Sequence, residues 1–120
     1  MSYGKKIIVI DDDPNIIDYL TTLFEDNGYE VNSATDAQKG LDLVKAEPPD
    51  LITLDLEMPG DWGPRFYRKM TQIDELKNIP VIVISGLTSN QYAIQKAVAT
   101  ISKPFDKDKL INIVKDTLME

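Results

Sequence analysis

Asp50 to Gly60 reads DLITLDLEMPG, and this stretch decides the fold. An apolar run, Leu51-Ile52-Thr53-Leu54, delivers one acid, Asp55, to the end of a buried strand, and Met58-Pro59-Gly60 then breaks regular structure at once. A short apolar run bounded by turn residues fits a central parallel strand. In open α/β sheets the chemistry gathers just beyond the carboxyl ends of such strands. A carboxylate set there, with a stiff Pro-Gly turn behind it, is held out of the core but close to it.

The same pattern extends outward in both directions. Toward the N-terminus, Lys6 to Ile10 (KIIVI) reads as a buried strand ending in Asp11-Asp12-Asp13. Asp13-Pro14 starts a helix, with Asp as N-cap and Pro at the first helical position. Ile16, Ile17, Leu20, Leu23 and Phe24 recur at helical spacing until Asn27-Gly28. Tyr29 to Ala34 is a second strand, shorter in apolar character and edge-like. Asp36 starts a helix with Ala37, Leu41 and Val44 on its apolar face, stopping before Pro48-Pro49, and Asp50 to Leu54 is the third strand. Past the Gly60 to Pro64 loop a helix carries Phe66, Tyr67, Met70 and Ile73. Pro80 to Ile84 (PVIVI) is a fourth strand, apolar throughout and therefore central. Ser85-Gly86, a weakly helical Ser89 to Val98, a short strand at Ala99 to Ser102, Lys103-Pro104-Phe105 and a helix from Asp106 through Leu110, Ile113, Val114 and Leu118 complete the chain. Strand and helix alternate five times without linker or repeat, which implies one domain over residues 1–120, a parallel sheet covered by helices on both faces. Periodicity does not set the strand order.

Composition narrows the chemistry. The 120 residues suffice for one core, and 42% apolar with 28% charged residues describes an ordinary folded chain. A net charge of −7, from 20 acidic and 13 basic residues, argues against a broad nucleic-acid footprint. With no cysteine there is no disulfide framework or thiolate chemistry, and with no histidine the commonest general base is missing. Chemistry must fall to carboxylates, hydroxyls, lysine and a metal. MSYGKKIIVIDDD is not a signal peptide, and no apolar stretch approaches a membrane span, so a cytoplasmic protein is the expectation.

Four strand ends carry polar groups: Asp11-Asp12, Asp55, Ser85 and Lys103. Singly each has a bland reading. Asp13 is a cap before it is a ligand, Asp55 could cap the next helix, Ser85 could be turn chemistry and Lys103 a solvated charge. Jointly they converge, because all carboxyl ends of a parallel sheet share one edge. Three clustered carboxylates repel unless a cation sits among them, and an oxygen-only ligand set suits Mg²⁺. Such an ion, a lysine and a serine hydroxyl would receive a phosphoryl group, and one carboxylate could attack it. Which acid is attacked stays open on these grounds.

At this point the residues match a family. IIVIDDDP, PDLITLDLEMPG, PVIVIS and ISKPF, in this order, resemble the receiver domain of two-component response regulators over essentially the whole chain. The resemblance implies a doubly wound, flavodoxin-like α/β fold with five parallel strands in the order 2-1-3-4-5. It makes Asp55 the phosphoacceptor, Asp11 and Asp12 the acidic pair holding Mg²⁺, and the backbone carbonyl of Glu57 a further ligand. Ser85 becomes the switch hydroxyl and Lys103 the phosphate-pairing lysine, with a cis bond to Pro104. The donor would be a phosphohistidine on a sensor histidine kinase or a histidine phosphotransfer protein, which supplies the histidine absent here. Phosphorylation would draw Ser85 and the following loop inward and switch partner contacts.

The chain also departs from the family pattern. Ser85 and Lys103 are 18 residues apart, about one helical turn less than usual, so the helix between them should be short or irregular. Thr100 stands where an aromatic switch residue is common, with Tyr92 a partial substitute. Gly86 replaces a commoner alanine and is expected to loosen the switch loop. Trp62 is expected to cover the end of the core, and Arg65 and Arg68 to form a solvated helix face. In the family the side chains at Glu57 and Leu87 flank the path of the hydrolytic water. Two rivals stand beside this reading. One is a pseudo-receiver, a binding module without phosphorylation. The other is a haloacid-dehalogenase-type phosphatase with Asp11 as nucleophile and Asp13 as general acid, which leaves Asp55 without a role. The family also admits a stand-alone receiver or a piece of a longer regulator, and homodimers through its last strand and helices.

Overall fold

The computed structural model describes residues 4–58, 62–86, 99–103 and 105–118, the side chains of Trp62, Ser85 and Ser102 excepted. Five strands form one parallel sheet: β1 (Lys6–Ile10), β2 (Glu30–Ala34), β3 (Leu51–Asp55), β4 (Val81–Ser85) and β5 (Ala99–Ser102). Their spatial order is β2-β1-β3-β4-β5, the order the resemblance implies. Helices α1 (Pro14–Asp26), α2 (Ala37–Ala46), α3 (Trp62–Thr71) and α4 (Lys107–Leu118) cover it. The expected short or irregular helix between β4 and β5, together with Leu87 and Tyr92, lies outside the described residues, as does Pro104.

Side-chain alternation along the strands divides the core in two. Ile8, Ile10, Ile52 and Leu54 pack with Leu41 and Val44 of α2 and with Phe66 and Met70 of α3. Ile7, Val9, Leu51, Ile82 and Ile84 pack with Leu20 and Phe24 of α1 and with Leu110 and Val114 of α4. Central strands buried on both faces explain why KIIVI, LITL and VIVI read as continuous apolar runs. β2, on the edge, is exposed at Glu30, Asn32 and Ser33.

Several boundaries shift by a residue or two, each for a local reason. Tyr29 does not open β2. Its amide donates to the Phe24 carbonyl (3.1 Å) and that of Gly28, with φ of 90°, donates to Glu25 (3.0 Å), so the two close α1 in a Schellman turn. β4 begins at Val81 because Pro80 has no N–H to give and contributes only its carbonyl, 3.0 Å from the Ile52 amide. β3 runs one residue further than expected: Asp55 itself is in the ladder, opposite Ile84. The loop after β3 is shorter than the expected reach to Pro64. α3 begins at Trp62 and takes Pro64 into its first turn, where a missing N–H costs nothing. That helix ends at Thr71, and Ile73 packs against the core from the turns that follow.

Candidate functional site

The acidic corner is set by where β1 and β3 stop. The Asp11 amide still donates to Ala34 of β2 (3.2 Å), so Asp11 continues the sheet, while the next two residues leave it. Asp13 turns away to cap α1, its Oδ1 accepting from Asn15 N at 2.9 Å. Asp11 Oδ1 in turn accepts from the Asp13 amide at 2.9 Å, which fixes the Asp11 carboxylate. On β3, Asp55 Oδ1 accepts from the Glu57 amide at 2.9 Å. Asp11 is 2% exposed and Asp55 1%, an exposure at which a carboxylate demands a partner, whereas Asp12 is exposed.

That partner is Lys103, from the segment just after β5. Its Nζ stands 3.2 Å from Asp11 Oδ2 and 3.6 Å from Asp55 Oδ1. Asp11, Asp12 and Asp55 each offer an oxygen, and these atoms lie within 4.8 Å of one another. Among the described residues one ammonium faces these three carboxylates, which leaves the corner negative. Burial pushes Asp55 up to about 6 from 3.8; the Glu57 amide pulls it back, Asp11 pushes it up, Lys103 lowers it and Asp12 raises it. Burial alone would lower Lys103, but Asp11 and Asp55 outweigh this and hold it above the ordinary lysine value. An all-oxygen cluster with surplus negative charge fits a hard divalent cation.

The structure brings together Asp11, Asp12, Asp55 and Lys103 as expected from the strand ends. Ser85 is the last residue of β4, opposite Ser102, and its hydroxyl lies outside the described atoms. The expected covering role of the Trp62 ring falls outside them too. Thr100, at the usual aromatic position, is exposed, and so are Arg65 and Arg68. Two features went unread in the sequence. The Glu57 side chain accepts a hydrogen bond through Oε1 from the Gly86 amide, while the rest of the loop that Gly86 is expected to loosen lies outside the described residues. Gly63, in the first turn of α3, lets that helix lie against β3: a Cβ there would stand 2.9 Å from both the Asp55 carbonyl oxygen and Leu56 Cα. The signal for each was only a glycine: Gly86 directly after Ser85, and Gly63 in the stretch that follows Asp55. The phosphatase reading is not favoured, because Asp13 is engaged in capping α1.

Comparison with known proteins points to one family. The family model described as response regulator receiver domain matches residues 7–115. Protein Rrf1 of Nitratidesulfovibrio vulgaris is 37% identical over 109 residues, which cover 91% of this chain and 79% of that protein. Sporulation initiation phosphotransferase F of Bacillus subtilis is 33% identical, covering 96% of this chain and 94% of the other. Among solved structures, the receiver domain of the Francisella response regulator 1452 superposes with a TM-score of 0.86 at 30% identity, over 97% of this chain and 98% of that one.

Proposed function

This chain belongs to the response regulator receiver domain family, signalling phosphoacceptors of two-component systems, and on that premise we propose that Asp55 is its acceptor. The observation that carries the reading is the position of Lys103, which bridges the buried Asp11 and Asp55 at the sheet's carboxyl edge. In the transfer, an Asp55 carboxylate oxygen attacks the phosphorus of a phosphohistidine on a sensor kinase or phosphotransfer protein in the cytoplasm. A P–O bond forms, the P–N bond breaks, and its electron pair stays on the imidazole nitrogen, which takes a proton from solvent.

Each side chain has a part in this. The Glu57 amide on Oδ1 fixes the rotation of the Asp55 carboxylate, so the attacking oxygen is presented in one orientation. Lys103, already shared between Asp11 and Asp55, is placed to pair with a phosphoryl oxygen. Ser85, one residue beyond the position opposite Asp55, supplies a hydroxyl to another and draws the loop with it. Asp11, Asp12, Asp55 and the Glu57 carbonyl would hold Mg²⁺, which when bound neutralises charge on the phosphoryl oxygens. Partner contacts switch with the loop, and no separate substrate is turned over.

Intact mass after incubation with Mg²⁺ and either acetyl phosphate or a phosphorylated histidine phosphotransfer protein tests this. A phosphoryl adduct is expected on wild type, none on Asp55→Ala, and none without Mg²⁺. An adduct retained by Asp55→Ala and lost in Asp11→Ala would overturn the assignment. So would the lack of any adduct from both donors.

A further inference from the structure

Glu57 holds two parts of the edge at once. Its amide donates to Asp55 Oδ1 at 2.9 Å, and its Oε1 accepts from the amide of Gly86, 29 residues along the chain. Asp55 pairs with Ile84, and Ser85 ends β4, so Gly86 leaves the sheet two residues past the position opposite the acceptor. The glycine matters to this contact. A Cβ at position 86 would stand 2.7 Å from Glu57 Oε1, so an alanine there would force the carboxylate away. Glu57 and Gly86 are both exposed, which lets water replace either partner and makes the contact reversible.

We propose that the Glu57 carboxylate is a latch on the loop after β4, holding the Gly86 amide in the unphosphorylated protein and releasing it when Asp55 is phosphorylated. This rests on Asp55 as acceptor. Two effects open the latch. Phosphorylation replaces the single negative charge of the Asp55 carboxylate with close to two on the phosphoryl group, so a corner that already holds Asp11 and Asp12 gains about one negative charge, and Glu57 is like-charged with it. The phosphoryl oxygens are also strong acceptors, and the Gly86 N–H lies two residues past Ile84, the residue opposite Asp55. The loop therefore exchanges one anionic acceptor for another, and the phosphorylated state is the one that satisfies Gly86 without Glu57. Glu57 is a positioning residue here, acting through the loop and not on the phosphorus.

The test uses wild type, Glu57→Ala, Glu57→Gln, Gly86→Ala and the double variant Glu57→Ala/Gly86→Ala. Amide hydrogen exchange at position 86 is read by NMR before phosphorylation, and the rate of adduct formation with acetyl phosphate and Mg²⁺ is read by mass. In the resting protein, exchange should be about tenfold faster in Glu57→Ala than in wild type, the loss of one charge-assisted hydrogen bond. Glu57→Ala and Gly86→Ala should both speed adduct formation, and the double variant should be no faster than either, as two halves of one contact require. Unchanged exchange in Glu57→Ala would overturn the latch. So would acceleration by Glu57→Ala and Glu57→Gln with none by Gly86→Ala, which would make Glu57 a plain charge barrier. If wild type gains no adduct at Asp55, the acceptor assignment fails, and the exchange comparison still decides whether the resting contact exists.

Discussion

Asp55 is 1% exposed and has its pKa pushed up to about 6 mainly by burial, so at neutral pH its charge opposes folding. The folded state binds the proton more tightly than the unfolded chain does. The corresponding stability is fully present below 3.8 and is lost as pH rises through about 6. The shift corresponds to about 3 kcal/mol at most, and the lost contact with Lys103 reduces what a neutral residue recovers. Asp55→Asn, which keeps an oxygen for the Glu57 amide, should therefore be more stable than wild type by about 1–2 kcal/mol at pH 8 without Mg²⁺. The difference should vanish near pH 4. Urea midpoints at the two pH values measure it, and a gain of equal size at both would refute burial as the cause. Two residues earlier on β3, Thr53 is 1% exposed and its hydroxyl has no hydrogen-bond partner among the described residues. Thr53→Val removes a buried unsatisfied group at nearly constant volume, so a stability gain of about 1 kcal/mol is expected from chemical denaturation. A loss would mean the hydroxyl is satisfied in solution.

Between the residue and the fold, the junction of β3 with α3 fixes where Asp55 stands. Gly63 lets the helix start press on the end of the strand, with no room for a Cβ against backbone that cannot move aside. Gly63→Ala should cost about 1–3 kcal/mol and, with Asp55 as the proposed acceptor, slow adduct formation well beyond what that loss of stability explains, since the backbone of Asp55 itself must shift. Stability by urea and adduct formation by mass, both in the folded range, separate the two effects; unaltered phosphorylation would show that the junction does not position Asp55 for the reaction. Elements of this kind are legible in sequence to different degrees. KIIVI, LITLD and VIVIS announced themselves because both faces of each strand are buried, and Asp13-Pro14 announced a helix because capping is local chemistry. Asp11, Asp12, Asp55 and Lys103 were legible as one site because a parallel sheet sends every strand end to one edge. Gly63 and the Glu57–Gly86 contact were not. They depend on how closely two distant pieces of backbone approach, and a close approach leaves only the absence of a side chain as its mark.

Across the whole molecule the net charge is −7, and part of it is gathered in the corner of Asp11, Asp12 and Asp55, where Lys103 answers them among the described residues. Repulsion there is a fixed cost of the fold that a cation can offset. Mg²⁺ binding only to the folded corner should stabilise the protein by about 2.7 kcal/mol at a hundredfold excess over its dissociation constant. For a domain of this size that is on the order of 10 °C in melting temperature. Protons compete with the metal for the same oxygens. Because Asp55 is pushed up to about 6, it is largely ionised at pH 8 and largely protonated at pH 5. A metal must then displace the proton, which weakens binding about tenfold at pH 5. Melting curves across a Mg²⁺ titration at the two pH values should show the midpoint concentration rise by that factor in wild type, while Asp55→Asn, with no proton to displace, should show a smaller shift. Sodium chloride at matched ionic strength separates a site from general screening, which acts on every surface charge alike. If sodium stabilises the chain as much as Mg²⁺ does, the acidic corner is only a patch of high charge density, and the metal role assigned to Asp11 and Asp12 falls with it.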